Sequence, residues 1–149
     1  MKKMLWLVPG LFSAQLWASD CDNRCQLAEV SRYFKALDQV SRAGSTAADI
    51  DRLLEQLAPD VQYIHSNYQA HFDKASWRSA FLRNLKRGAY TNGPSQQQRV
   101  LRSIPGTNFM AVEYAHGVLK PDGSWQAEQP LLVLFGFHQG KISLVQELW

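Results

Sequence analysis

Leu57-Ala58-Pro59-Asp60-Val61-Gln62-Tyr63-Ile64-His65-Ser66, residues 57–66, decides how this chain is read. Leu57 closes an apolar stripe at helical spacing that begins with Ile50, Leu53 and Leu54. Pro59 stops that helix, because it has no amide donor and its ring clashes with the preceding turn. From Val61 to Ser66 the period changes to two. Val61, Tyr63 and His65 fall on one side, and Gln62, Ile64 and Ser66 on the other. An amphipathic helix therefore runs almost directly into a strand.

Working outward, Thr46 caps the same helix, and Asp49 three residues on gives a weak capping box. Before it, Leu27, Val30, Phe34 and Leu37 mark a first helix that Gly44-Ser45 ends. After Ser66 a short loop is expected. Asp73 then caps a third helix that buries Trp77, Phe81 and Leu85 and ends near Gly88. Beyond the turn at Asn92-Gly93-Pro94 the pattern is β: Gln97 to Ile104, Asn108 to Leu119, Ser124 to His138 with a kink at Pro130, and Lys141 to Trp149. Helices first and an antiparallel meander last predict an α+β domain with the helices packed on one sheet face. The chain has no internal repeat and no low-complexity stretch.

The N-terminus carries a different kind of signal. Met1-Lys2-Lys3 is basic, Met4 to Leu16 is mostly apolar, and Ala18 is small. Residues 1–18 are expected to be a cleaved signal peptide, leaving one domain over 19–149. Pro9 and Gly10 interrupt the apolar run, and a buried N-terminal helix is the competing reading. A stable membrane anchor is not expected, because spanning takes about 20 apolar residues. Ala18-Ser19-Asp20 before Cys21 does not resemble a lipoprotein box. The expected product is soluble and periplasmic or secreted. Lys2 and Lys3 leave with the signal, so the 16 basic residues fall to 14 against 13 acidic ones. That balance gives nucleic-acid binding little support.

Cys21 and Cys25 lie just past the expected cut. Four residues apart on a helix they are within disulfide reach, and an oxidising compartment favours the bond. Free thiols are the alternative. The spacing is neither a zinc motif nor a redox C-x-x-C.

The element order resembles the nuclear transport factor 2-like (SnoaL-like) superfamily. Three patterns carry the likeness: Leu57-Ala58-Pro59-Asp60-Val61, Phe72-Asp73-Lys74 opening the third helix, and Gly140-Lys141-Ile142 opening the last strand, with Glu147 and Trp149 near its end. The resemblance implies a cone, in which a curved antiparallel sheet wrapped on the N-terminal helices encloses a mostly apolar pocket, and it implies dimerisation through the sheet. Within the superfamily, the ketosteroid isomerases allow a closer comparison. Arg32-Tyr33 resembles their helix carrying the oxyanion-hole tyrosine. By spacing from Asp60, His65 falls where they carry an aspartate base. Val112, Tyr114 and His116 match their pocket-facing parity, as do Val133, Phe135 and Phe137, and Trp149 matches a pocket tryptophan. Val133 stands in place of their protonated aspartate, so a steroid isomerase is not predicted. The superfamily hosts many functions, so the fold does not settle the activity.

His65 is the sharpest candidate, as a base of near-neutral pKa beside Tyr63, or else a hydrogen-bonded core histidine. Tyr33 either donates to a ligand oxygen or packs beside Leu37 with its hydroxyl at water. Tyr63, Trp77, Val112, Tyr114, His116, Val133, Phe135, Glu147 and Trp149 are the expected ligand-contacting set. Glu147 is inward with a partner such as His116 or Tyr33, or outward as a surface carboxylate, because one bulge reverses a strand's face. No metal motif is present, and no glycine-rich phosphate loop or nucleophile elbow calls for a cofactor. His71, His138 and the basic face Arg78, Arg83, Lys86 and Arg87 read as solvated.

Two functions fit these expectations. One is binding of a small apolar or amphipathic molecule in the cone, with proton transfer by His65 while Tyr33 polarises an oxygen. The other is a non-catalytic module working through its sheet face or as a homodimer. A cavity where His65, Tyr33 and a second polar group converge marks the first. Filling of that space by Trp77, Phe135 and Trp149 removes the enzyme reading, and a large exposed apolar sheet patch with a closed pocket marks the second.

Overall fold

The structure is a computed structural model that describes residues 21–149, so the expected signal peptide lies outside the described residues. Helix α1 (Asn23–Ser41) starts on Asp22, whose carboxylate accepts from the Cys25 amide at 2.8 Å. Cys21 and Cys25 form a disulfide across this first turn, with Cα atoms 5.2 Å apart. The helix buries Val30, Tyr33, Phe34 and Val40. The helix stops at Arg42, whose backbone is extended, and Gly44, at φ 83°, takes the left-handed conformation in the turn before the next helix. Helix α2 (Ala47–Glu55) carries the expected capping box. The Thr46 amide donates to Asp49 Oδ2 at 2.7 Å, and the helix buries Ile50, Leu53 and Leu54.

Past Pro59, Val61 is fully buried and strand β1 (Gln62–His65) follows. The expected loop after it contains a strand. β2 (Ala70–Asp73) folds back antiparallel on β1, with Gln69 at φ 49° in the turn. Four residues are too few for a period to stand out from a polar surround. Asp73 then caps α3 (Lys74–Lys86), accepting from the Ser76 amide at 2.7 Å. Trp77 and Phe81 are the buried residues of this helix.

The remaining strands are β3 (Gln96–Gly106), β4 (Phe109–Leu119), β5 (Trp125–Ala127), β6 (Leu131–His138) and β7 (Lys141–Glu147). The single strand expected over 124–138 is two. β5 pairs with the end of β4 and β6 with its beginning, and the break falls at Pro130, where the kink is expected. Proline cannot donate to the ladder, so the strand divides there.

The sheet order is β2-β1-β7-β6-β4-β3, with β5 on β4. Every neighbour is antiparallel except β1 and β7, which are parallel. That pair departs from a simple meander. It sets His65 directly beside Glu147 in register. The curved, unclosed sheet carries all three helices against one core, in which Val30, Phe34, Ile50, Leu53, Met110 and Phe135 are buried.

Candidate functional site

Strand parity aims one set of side chains at the helices. Val112↔Val133↔Glu147↔His65 is one cross-strand row, so these residues share a face. Met110↔Phe135↔Val145↔Tyr63 is the row beside it. Across from them stand Tyr33 and Phe34 of α1 and Trp77 and Phe81 of α3.

The deep part of the cone is filled. Tyr33 and Phe135 meet with ring centroids 5.4 Å apart, Phe34 and Tyr114 at 4.8 Å, and Phe34 and Phe135 at 5.8 Å. Val112, Val133 and Phe135 are wholly buried in this packing and do not line a cavity. The sequence expectation put them against a ligand, but the space is taken by Tyr33 and Phe34, which close it from the α1 side.

A cavity of about 220 Å³ remains on the α3 side. Its aromatic walls are Tyr33, Tyr63, Phe72, Trp77 and Phe81, and its polar groups include Glu147 and Asn84. Tyr63 and Trp77 stack at 4.5 Å, and Trp77 and Phe81 at 5.5 Å. Phe72 lies on β2, a strand too short to show a period in the sequence, so its place at the cavity is not legible there. Ala80 and Asn84 escape the sequence reading too, although with Trp77 they fall at helical spacing along one face of α3.

Glu147 points inward and is 5 % exposed. Tyr114 Oη donates to its Oε2 at 3.0 Å, and Trp149 Nε1 donates to the same oxygen at 2.9 Å. No lysine, arginine or histidine pairs with it among the described residues. Burial raises its pKa, while the bonds from Trp149 and Tyr114 hold it down. The partners expected from sequence were His116 and Tyr33. The donors are Tyr114, which the β6–β7 and β4–β6 registers bring near it, and Trp149, two residues further along the chain.

Tyr33 is 1 % exposed, and its pKa is pushed well up, first by burial and then by the nearby Glu147 carboxylate, Tyr63 and Tyr114. Tyr33, Tyr63, Trp77 and Glu147 of the expected set therefore meet at one cavity. His65 does not line it. Its ring lies 4.3 Å from that of Tyr68 and 4.5 Å from that of Trp149. Neither ring nitrogen has a partner, the residue is 4 % exposed, and burial lowers its pKa. His116 is half-buried beside the Tyr114 ring and is outside the cavity. Among the described residues, no three His, Cys, Asp or Glu side chains gather as a metal-holding group.

No family model matches the sequence, and neither does any curated protein. Solved structures do match. A nuclear transport factor 2-like protein of unknown function from Burkholderia pseudomallei superposes with a TM-score of 0.56 at 14 % identity, over 84 % of this chain and 90 % of its own. A second such protein, from Exiguobacterium, gives 0.55 at 15 % identity, over 80 % and 96 %. A candidate polyketide cyclase from Sinorhizobium meliloti gives 0.53 at 20 % identity, over 81 % and 94 %. At these identities the likeness concerns the fold, and this chain has the nuclear transport factor 2-like fold, a curved sheet wrapped on helices.

Proposed function

We propose that this domain is exported and binds a small amphipathic molecule in the α3-side cavity, with the ligand's polar end at Tyr33 and Glu147. The observation that carries this reading is a buried carboxyl group beside a buried tyrosine hydroxyl, opening on aromatic walls. Sites of this make-up, mostly apolar with a few convergent polar groups, are where small ligands settle. The cavity is below the roughly 300–1,000 Å³ usual for drug-sized ligands, which favours a compact one. Export rests on the leader-like residues 1–18 and on the Cys21–Cys25 bond, a chemistry at home in oxidising compartments.

The chemistry that fits is proton transfer. Tyr33 holds a ligand oxygen, and Glu147 exchanges the proton, since it is the titratable carboxyl at the cavity. His65 is the competing base. Native mass spectrometry of protein purified from its own compartment tests the reading. A co-purifying small molecule, lost in Glu147→Gln, supports it, and a mass beginning at Ser19 supports export. Carbon-bound deuterium exchange in the recovered molecule then separates the two bases. Glu147→Gln slows it by about 10²-fold or more and His65→Gln does not. The reverse result assigns the proton to His65.

A second reading, a non-catalytic homodimer, has its own support on the outer sheet face. Ile104 is 73 % exposed, with Phe109 and Leu132 near half-exposed beside it. A native mass spectrum showing a protein partner and an empty cavity favours that reading.

A further inference from the structure

Glu147 combines three properties that are hard to reconcile in an isolated chain. Its carboxyl group is almost fully buried, it lines a cavity, and it has no cationic partner among the described residues. An uncompensated buried charge is costly. Yet the two groups that hold it, the Tyr114 hydroxyl and the Trp149 indole, are both donors, which favour the ionised form. Both fall on Oε2, and no side-chain donor among the described residues reaches Oε1. The two donors suit an ionised carboxylate, burial opposes that charge, and none of the described residues supplies a counter-charge.

The surroundings narrow the source of that charge. The groups facing Glu147 are Tyr33 from α1, Tyr63 and His65 from β1, and Tyr114 from β4. None of the three tyrosines carries a positive charge in any ionisation state. Burial lowers the His65 pKa, and neither of its ring nitrogens has a hydrogen-bond partner, so it does not pair with Glu147. The residues lining the cavity include no lysine or arginine. An anionic ligand would meet Glu147 with nothing to offset the repulsion. Five aromatic rings form most of the remaining wall, with Leu37, Ala80 and Asn84, and the negative face of an aromatic ring attracts alkylated ammonium groups.

We propose that the cavity takes a small organic cation, an alkylammonium group whose charge is balanced by Glu147 and whose alkyl surface is buried against the Tyr33, Tyr63, Phe72, Trp77 and Phe81 rings. This rests on the reading that the cavity is a ligand site, and it adds the ligand's charge. The competing arrangement is a protonated Glu147 donating to a neutral ligand oxygen. The two differ in the sign of their pH dependence. A cation binds the ionised carboxyl, so its affinity rises about tenfold per pH unit until Glu147 is deprotonated, then levels off. A neutral acceptor binds the protonated carboxyl, so its affinity falls over the same range.

Choline and its uncharged carbon isostere 3,3-dimethylbutan-1-ol have the same shape and differ in charge. Titration of the mature protein with each, followed by nuclear magnetic resonance of the Trp77 and Tyr63 side chains from mildly acid to mildly alkaline pH, is the test. The expected result is that choline binds at least tenfold more tightly at alkaline pH. Its affinity should climb with pH, and Glu147→Gln should remove the preference. Equal or tighter binding of the isostere, with affinity falling as pH rises, overturns the cation and leaves the ligand site standing. If neither compound shifts the cavity resonances at tens of millimolar, both the cation and the ligand site fall. The wild-type pH profile decides the matter even if the variant folds poorly.

Discussion

At the scale of single residues, Glu147 and His65 are neighbours in register with opposite electrostatic demands. Burial raises the Glu147 pKa above its ordinary 4.5. The native state therefore holds the proton more tightly than the unfolded chain. That contribution to stability is fully present below 4.5 and is lost as pH rises through the folded value. Burial lowers the His65 pKa below 6.5, so the native state favours the neutral ring. Its contribution is present above 6.5 and is lost as pH falls through the folded value. Urea midpoints measured across pH should show both limbs, each with a slope of at most about 1.4 kcal/mol per pH unit. Glu147→Gln should flatten the limb that starts at 4.5, and His65→Phe should flatten the one below 6.5, keeping an aromatic ring between Tyr68 and Trp149. An unchanged profile in either variant would mean that residue is not the group titrating. Sequence parity placed His65 on the same face as Tyr63 but left the face of Glu147 open, because one bulge reverses a strand. It could not show that one meets the cavity and the other lies under an aromatic cover, because that depends on where Tyr68 and Trp149 come to rest.

At the scale of elements, the boundaries that read well were chemical stops: Pro59, the Asp73 cap, Gly88, and the Thr46–Asp49 box. Those that did not were short strands. β2 and β5 have four and three residues, and each is a strand only because a longer neighbour offers it hydrogen bonds. β5 also depends on one glycine. A Cβ added at Gly117 would lie 2.5 Å from the Gln126 carbonyl oxygen and 2.5 Å from the Trp125 ring. Gly117→Ala should therefore detach β5 from β4 and cost about 1–3 kcal/mol, while the rest of the sheet persists. Hydrogen exchange should speed up over 117–127 and remain slow in β6 and β7. Uniform speeding across the sheet would show that β5 is integral to the core.

At the scale of the whole molecule, the inner face of the sheet is spent on packing and the α3-side cavity, while the outer face exposes several large apolar side chains. Ile104, Phe109 and Leu132 lie on it, with Ala111 between them and an Arg102–Glu113 ion pair alongside. Light scattering of the mature chain should give twice the monomer mass if this face is self-complementary, and Ile104→Asp should halve it by burying a charge at the interface. A monomer mass for the wild type would remove the dimer reading. The sequence by itself determined the class of fold and the order of its helices and longer strands, because stops, caps and periodicities are local and survive without tertiary contacts. It put Cys21 and Cys25 within disulfide reach with free thiols as the alternative, and the structure joins them. Only the tertiary structure decided which polar group meets the cavity. The parallel β1–β7 pair joins segments some eighty residues apart, and no local pattern encodes such a partnership. It brings His65 and Glu147 side by side, and the packing of Trp149 and Tyr68 over one of them leaves the other at the cavity. Side-chain parity is a property of a strand, whereas access to a cavity is a property of everything packed around it.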